Sequence, residues 1–161
     1  MKKILIVDDN PAALRQTAAL LSAEYDVLSA GSGALALRIC ASEKPDLVLL
    51  DVEMPEMDGF ETIARLRQYP DLSRIPVVFL TADRDMETEI RALESGAMDF
   101  IVKPPARDVL LHRLELHLQY SSCRFSLEKT AQELEDSVVV SFAELIDCRG
   151  DNTGTHVLRT G

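Results

Sequence analysis

A chain of 161 residues, 47% apolar and 27% charged, can bury one domain-sized core with an appendage and is too apolar to remain disordered. Its formal net charge of −10, with no cluster of Lys and Arg, argues against a nucleic-acid surface, because phosphate neutralisation needs grouped cations. No run approaches bilayer length, the apolar stretch Ile4–Val7 is too short for a signal peptide, and three widely spaced cysteines without a CxxC pair predict a reduced, cytoplasmic setting.

In chain order, the apolar run Lys3–Val7 predicts a strand, and Asn10 followed by Pro11 supplies an N-cap and first residue for a helix over Pro11–Ser22. A second strand is expected at Asp26–Ala30, followed by an Ala/Leu-rich helix over Ser32–Ser42 that stops before Pro45. Cys40, among Leu37, Ile39 and Ala41, reads as small core filler. The third strand, Asp46–Leu50, leads through a turn with Pro55 and Gly59 into a helix over Asp58–Gln68. Val77–Leu80 is the fourth strand, and the helix Arg84–Ser95 after it ends at Gly96, a suitable C-terminal cap. Phe100–Val102 is the fifth strand, and Pro105 can open the fifth helix. Five alternations of strand and helix predict an α/β domain over 1–120, a five-stranded parallel sheet covered on both faces through right-handed crossovers.

Helix five carries Val109, Leu110, Leu111, Leu114, Leu116 and Leu118 around more than one face, so one stripe can meet the sheet while another needs a partner. His112 and His117 stand five residues apart on this helix, off a common face, and form no pair. Beyond Tyr120, Leu127, Ala131, Leu134, Val138, Phe142 and Leu145 recur at three- and four-residue steps between charged residues. Residues 121–145 are therefore expected to form an amphipathic linker helix, a coiled coil in a parallel homodimer or a helix folded back on its own domain, with the dimer favoured.

Parallel strands align their carboxyl ends at one edge, where open α/β sheets place their ligand sites. Asp8 and Asp9 follow the first strand, Asp51 the third, Thr81 the fourth and Lys103 the fifth, so all five gather at that edge. Three carboxylates facing one lysine make a site for magnesium and a phosphoryl group. The blocks that carry it, ILIVDD, LVLLDVEMPEMDG, VVFLTA and GAMDFIVKPP in that order, resemble the receiver domain of two-component response regulators.

That resemblance implies a flavodoxin-like (βα)5 fold with strand order 2-1-3-4-5. It makes Asp51 the carboxylate that accepts a phosphoryl group from a sensor histidine kinase or a phosphotransfer protein. Asp8 and Asp9, with Asp51 and the backbone carbonyl of Glu53, would hold Mg²⁺, one of the acidic pair directly and the other through water, in an order the sequence leaves open. Lys103 would neutralise phosphoryl oxygens, aimed inward by a cis bond to Pro104. Thr81 would offer its hydroxyl to the transferred group, although a β-branched strand residue needs no function to be there. Phe100 fits either core packing or the aromatic whose rotamer follows Thr81 in the family's switch, here without a Tyr hydroxyl. Self-phosphorylation and slow hydrolysis are then the chain's only chemistry. A flavodoxin-like mononucleotide binder is the rival module, but it would carry a hydroxyl- and glycine-rich phosphate loop where this chain has Asp8-Asp9-Asn10-Pro11.

The final residues, 146–161, do not belong to such a domain. Asp147, Arg149, Thr153, Gly154, His156 and Arg159 resemble the opening of HD-GYP phosphohydrolases, with Asn152 where many members carry a carboxylate. The expectation is a receiver and linker cut at the threshold of an output domain whose parent hydrolyses cyclic di-GMP. A regulated cyclic di-GMP phosphodiesterase is thus a reading of the parent. This chain, with His156 alone of the metal ligands such hydrolysis needs, is expected to lack the activity.

Overall fold

The computed structural model describes residues 1–151, with side chains described through Cys148. The expectations resting on Arg149, Asn152, Thr153, Gly154, His156 and Arg159 lie outside the described side chains. Two compact units divide the chain, Met1–Gln119 and Tyr120–Gly161.

In the first unit five strands alternate with helices: β1 (Lys3–Val7), α1 (Pro11–Leu21), β2 (Asp26–Ala30), α2 (Gly33–Glu43), β3 (Leu47–Leu50), α3 (Gly59–Gln68), β4 (Val77–Thr81), α4 (Met86–Glu94) and β5 (Asp99–Val102), then α5 (Arg107–Asp151). All strand pairs are parallel, in the order β2-β1-β3-β4-β5. The chain thus has the five-stranded α/β fold and strand order that the resemblance implied.

Side-chain alternation along the strands divides the core in two. Leu5, Val7, Val48, Leu50, Val77 and Phe79 face Cys40 of α2, Ile63 and Leu66 of α3 and Ala92 of α4. Ile4, Ile6, Leu47, Leu49, Val78 and Leu80 face Leu21 of α1 and Leu110, Leu114 and Leu118 of α5. The three α5 leucines are spaced by four, one stripe of a 3.6-residue period, and leave Val109 and Leu116 half exposed. Cys40 is fully buried, and burial pushes its thiol up to about 11, so it stays protonated core filler.

Local chemistry sets the boundaries. Asn10 caps α1 by accepting from the amides of Ala12 and Ala13, Ser32 caps α2 through Leu35, and Asp58 caps α3 through Glu61. The α4 helix begins at Met86 rather than Arg84, because Asp85 takes the N-cap position and accepts from Glu87 N–H. The α5 helix begins at Arg107, beyond the Pro104-Pro105 pair, and the Lys103–Pro104 bond is cis. Gly96, with φ 93°, takes the left-handed position after α4, whereas α2 closes on Lys44 in that conformation without a glycine.

Gly59 starts α3 where no side chain fits. A Cβ there would collide with the Asp51 carbonyl oxygen and lie 2.8 Å from Phe79 Cε1 and 3.0 Å from Val52 Cα. Gly59→Ala is expected to lower stability by about 1–3 kcal/mol, an overpacking cost, and to displace the β3–α3 turn beside Asp51. The urea midpoint checks it. An unchanged midpoint would mean the turn opens without resistance.

Candidate functional site

Four strand ends converge at the carboxyl edge of the sheet. The backbone of Asp8 donates to Ala30 O (3.1 Å), that of Asp51 to Val7 O (2.9 Å) and that of Lys103 to Thr81 O (2.7 Å), so sheet-edge bonds hold all three side chains. Carboxylate oxygens of Asp8, Asp9 and Asp51 lie within 4.8 Å of one another. Asp8 and Asp51 are buried and Asp9 is exposed, giving the cluster one open side. The Lys103 Nζ donates to Asp8 Oδ2 and stands 3.4 Å from Asp51 Oδ2.

Burial pushes the Asp51 carboxyl above its ordinary 3.8; Lys103 opposes this, Asp8 adds repulsion, and the Glu53 backbone N–H stabilises the ion. Asp8 is tied locally as well, accepting from Asn10 N–H at 2.9 Å. The donor set is oxygen-only, crowded with like charge and open on one side, which fits a hard divalent cation that keeps part of its water. A cleft of about 600 Å³ adjoins the cluster, lined by Asp9, Glu53, Asp58, Asp83, Phe60 and Arg91 among others. Its aromatic floor is braced: the Phe60 ring lies 5.3 Å from Phe79, and the Arg91 guanidinium sits 4.1 Å above Phe60.

Thr81, buried at the end of β4, accepts from Asp83 N–H at 3.2 Å. Asp83 in turn accepts from Asp85 N–H (2.9 Å) and from the Thr88 hydroxyl (2.8 Å), bonds that hold its carboxyl below the ordinary range. Thr81 is thereby joined through one residue to the first turn of α4. Phe100 is buried in β5, in register with Phe79 and within the same core cluster.

Sequence reasoning missed two features. Asp99 at the start of β5 accepts from Arg113 at 3.2 and 3.3 Å and lies 2.9 Å from His117 Nε2, so His117 bonds across to the sheet. Arg67 of α3 donates to the carbonyls of Ser73 and Ile75 before β4 and of Gly96 before β5, clamping the two loops together. Lys103 faces Asp8 and Asp51, as the sequence led one to expect. Charge patterning gives a weak signal for the first pair and none for the carbonyl clamp.

The sequence profile of the response regulator receiver domain matches residues 4–115, and the chain belongs to that family. It is 37% identical to a probable cyclic di-GMP phosphodiesterase of Vibrio cholerae, over 98% of this chain and 39% of that protein. It is 46% identical to the response regulator PleD of Caulobacter vibrioides, over 68% of this chain and 24% of that one. The chain therefore spans well under half the length of these relatives. Among solved structures, the BeF3-activated receiver domain of Klebsiella pneumoniae RstA is 40% identical with a TM-score of 0.66, covering 73% of this chain and 98% of that one. A putative response regulator from Chloroflexus aurantiacus is 34% identical with a TM-score of 0.70, covering 73% and 98%. Receiver domains take phosphoryl groups from histidine kinases or phosphotransfer proteins. No helix among the described residues is long and apolar enough to cross a membrane.

Proposed function

We propose that Asp51 accepts a phosphoryl group from a partner phosphohistidine and that the resulting aspartyl phosphate is the signal this chain carries. The observation that supports this most is the carboxylate trio beside Lys103 at the sheet edge of a receiver domain. An Asp51 oxygen attacks phosphorus, the P–N bond to the donor imidazole breaks, and the freed ring nitrogen takes a proton. Asp8, Asp9, Asp51 and the Glu53 carbonyl would hold Mg²⁺, which when bound spreads phosphoryl charge and relieves carboxylate repulsion. Lys103 exchanges its carboxylate partners for phosphoryl oxygens, a point-charge role that needs little movement. Thr81 donates its hydroxyl to the new group, and Phe100 repacks with it. The adjoining acidic cleft, with Arg91 at its wall, gives a donor side chain its approach.

Residues 1–120 act as the receiver, 121–145 as the linker helix of a homodimer, and 146–161 as the start of an HD-GYP output domain. The likeness to a probable cyclic di-GMP phosphodiesterase supports that output for the longer protein, and a cytoplasmic setting is part of the same reading. The test is exposure to Mg²⁺ and beryllofluoride, read by ¹⁹F NMR. One bound-fluoride set that needs Mg²⁺ is expected, and no signal would refute the phosphoryl site. A flavin titration that saturates would instead favour the mononucleotide reading.

A further inference from the structure

The linker helix repeats with a period of eleven. Tyr120, Ala131 and Phe142 are spaced by eleven; so are Cys123, Leu134 and Leu145, and so are Leu127 and Val138. Together they form one apolar stripe on the described part of α5 in the second unit, and every member is exposed. Tyr120 is 59%, Leu134 63% and Phe142 62% accessible, so the stripe leaves large apolar side chains in water. Charged residues keep off it: Arg124 pairs with Glu128 at 3.2 Å and Lys129 with Glu133 at 3.9 Å along the same helix.

Eleven residues in three turns make about 3.67 per turn, close to the relaxed α-helix, so such a stripe runs almost straight. A seven-residue repeat fitted to the same stretch shares Tyr120, Leu127, Ala131, Leu134, Val138 and Leu145, exchanges Cys123 and Phe142 for Arg124 and Ser141, and gains Cys148 where the eleven-residue repeat continues to Arg149. Ser141 already donates to Ser137 O at 2.9 Å, and its register would leave the Phe142 ring in water. Apolar content therefore selects the eleven-residue register. In a parallel, in-register pair with an identical helix each layer of the repeat meets its own copy, Tyr120 against Tyr120 and Phe142 against Phe142.

We propose that the covering partner is a second copy of this chain, paired parallel and in register through the eleven-residue repeat, with Cys123 facing Cys123 of the other copy. This rests on the parallel homodimer reading above and adds its register. Packed helices lie about 8–10 Å apart with Cα radii of about 2.3 Å, so facing Cα atoms approach within the 4.4–6.8 Å a disulfide spans. In the eleven-residue register Cys123 lies about 33° from the stripe's centre and Cys148 about 98°. In the seven-residue register the order reverses, to about 77° and 26°.

The two exposed thiols thus decide the register, and the buried Cys40 stays silent. The 161-residue chain carrying Cys148→Ser, which keeps Cys123, and that carrying Cys123→Ser, which keeps Cys148, are oxidised with copper phenanthroline. Copper(II) takes the two electrons of each thiol pair and buffer takes the protons; covalent dimer is followed on non-reducing gels beside sedimentation of the unoxidised chains. Crosslinking at least tenfold faster through Cys123 is expected. Faster reaction through Cys148 overturns the eleven-residue register. A sedimenting dimer that crosslinks slowly through both overturns parallel, in-register pairing while the dimer reading stands. A monomer at tens of micromolar, with or without beryllofluoride, overturns both.

Discussion

Asp51→Asn is expected to bind no beryllofluoride and accept no phosphoryl group, yet to unfold at a higher temperature than the wild type in metal-free buffer. The first effect follows from removing the nucleophilic charge at constant volume. The second follows from the Asp51 environment: burial and the neighbouring Asp8 push its carboxyl up, so the fold holds the ionised form at a cost. A group whose folded pKa is raised binds more protons folded than unfolded, so its contribution to stability falls as pH rises above the ordinary 3.8. At neutral pH the wild type bears that cost in full and the amide does not. Lys103 keeps Asp8 as its partner in the variant, which avoids a stranded cation. Each kcal/mol recovered moves Tm by about 2–4 °C in a chain of this size. Loss of the adduct together with a lower Tm would put the charge balance wrong, and an adduct as strong as wild type would put the acceptor elsewhere.

Replacing Asp8 and Asp9 together by Asn should abolish stabilisation by Mg²⁺ while leaving Asp51 in place. With magnesium a hundredfold above its dissociation constant, binding to the folded state adds about 2.7 kcal/mol, or about 5–10 °C. One buried carboxylate cannot recover that from a hydrated cation that keeps most of its water. The comparison is of each protein with and without Mg²⁺, because Asp8→Asn also alters the Lys103 pair. A magnesium shift in the double variant equal to wild type would move the metal away from the trio.

Where the sequence was legible, the signal was periodic or local. The four-residue apolar runs of β1 and β3 read as strands buried on both faces, and Asn10 announces α1 because a capping side chain bonds two or three residues away, whereas Ser32 and Asp58, read as first helical residues, cap α2 and α3. The carboxylates and Lys103 were legible because a parallel sheet collects strand ends whatever the loops do. The remainder depends on contacts between distant segments. Nothing near His117 marks Asp99 as its partner, and nothing in Arg67 shows that it will reach three carbonyls. The end of α2 was legible from Pro45, although Lys44 adopts a left-handed conformation at φ 45° where glycine is the usual signal.

The hydroxyl of Thr81 spends only its acceptor side on the Asp83 amide, so its proton remains available to a new oxygen nearby. On the phosphoryl reading proposed above, a newly attached phosphate would draw this side chain toward itself without that amide first being released. Asp83 is fastened to Asp85 and Thr88, so the pull passes along an unbroken tether into the opening turn of α4. Information would then leave the sheet edge as traction on a linkage already made.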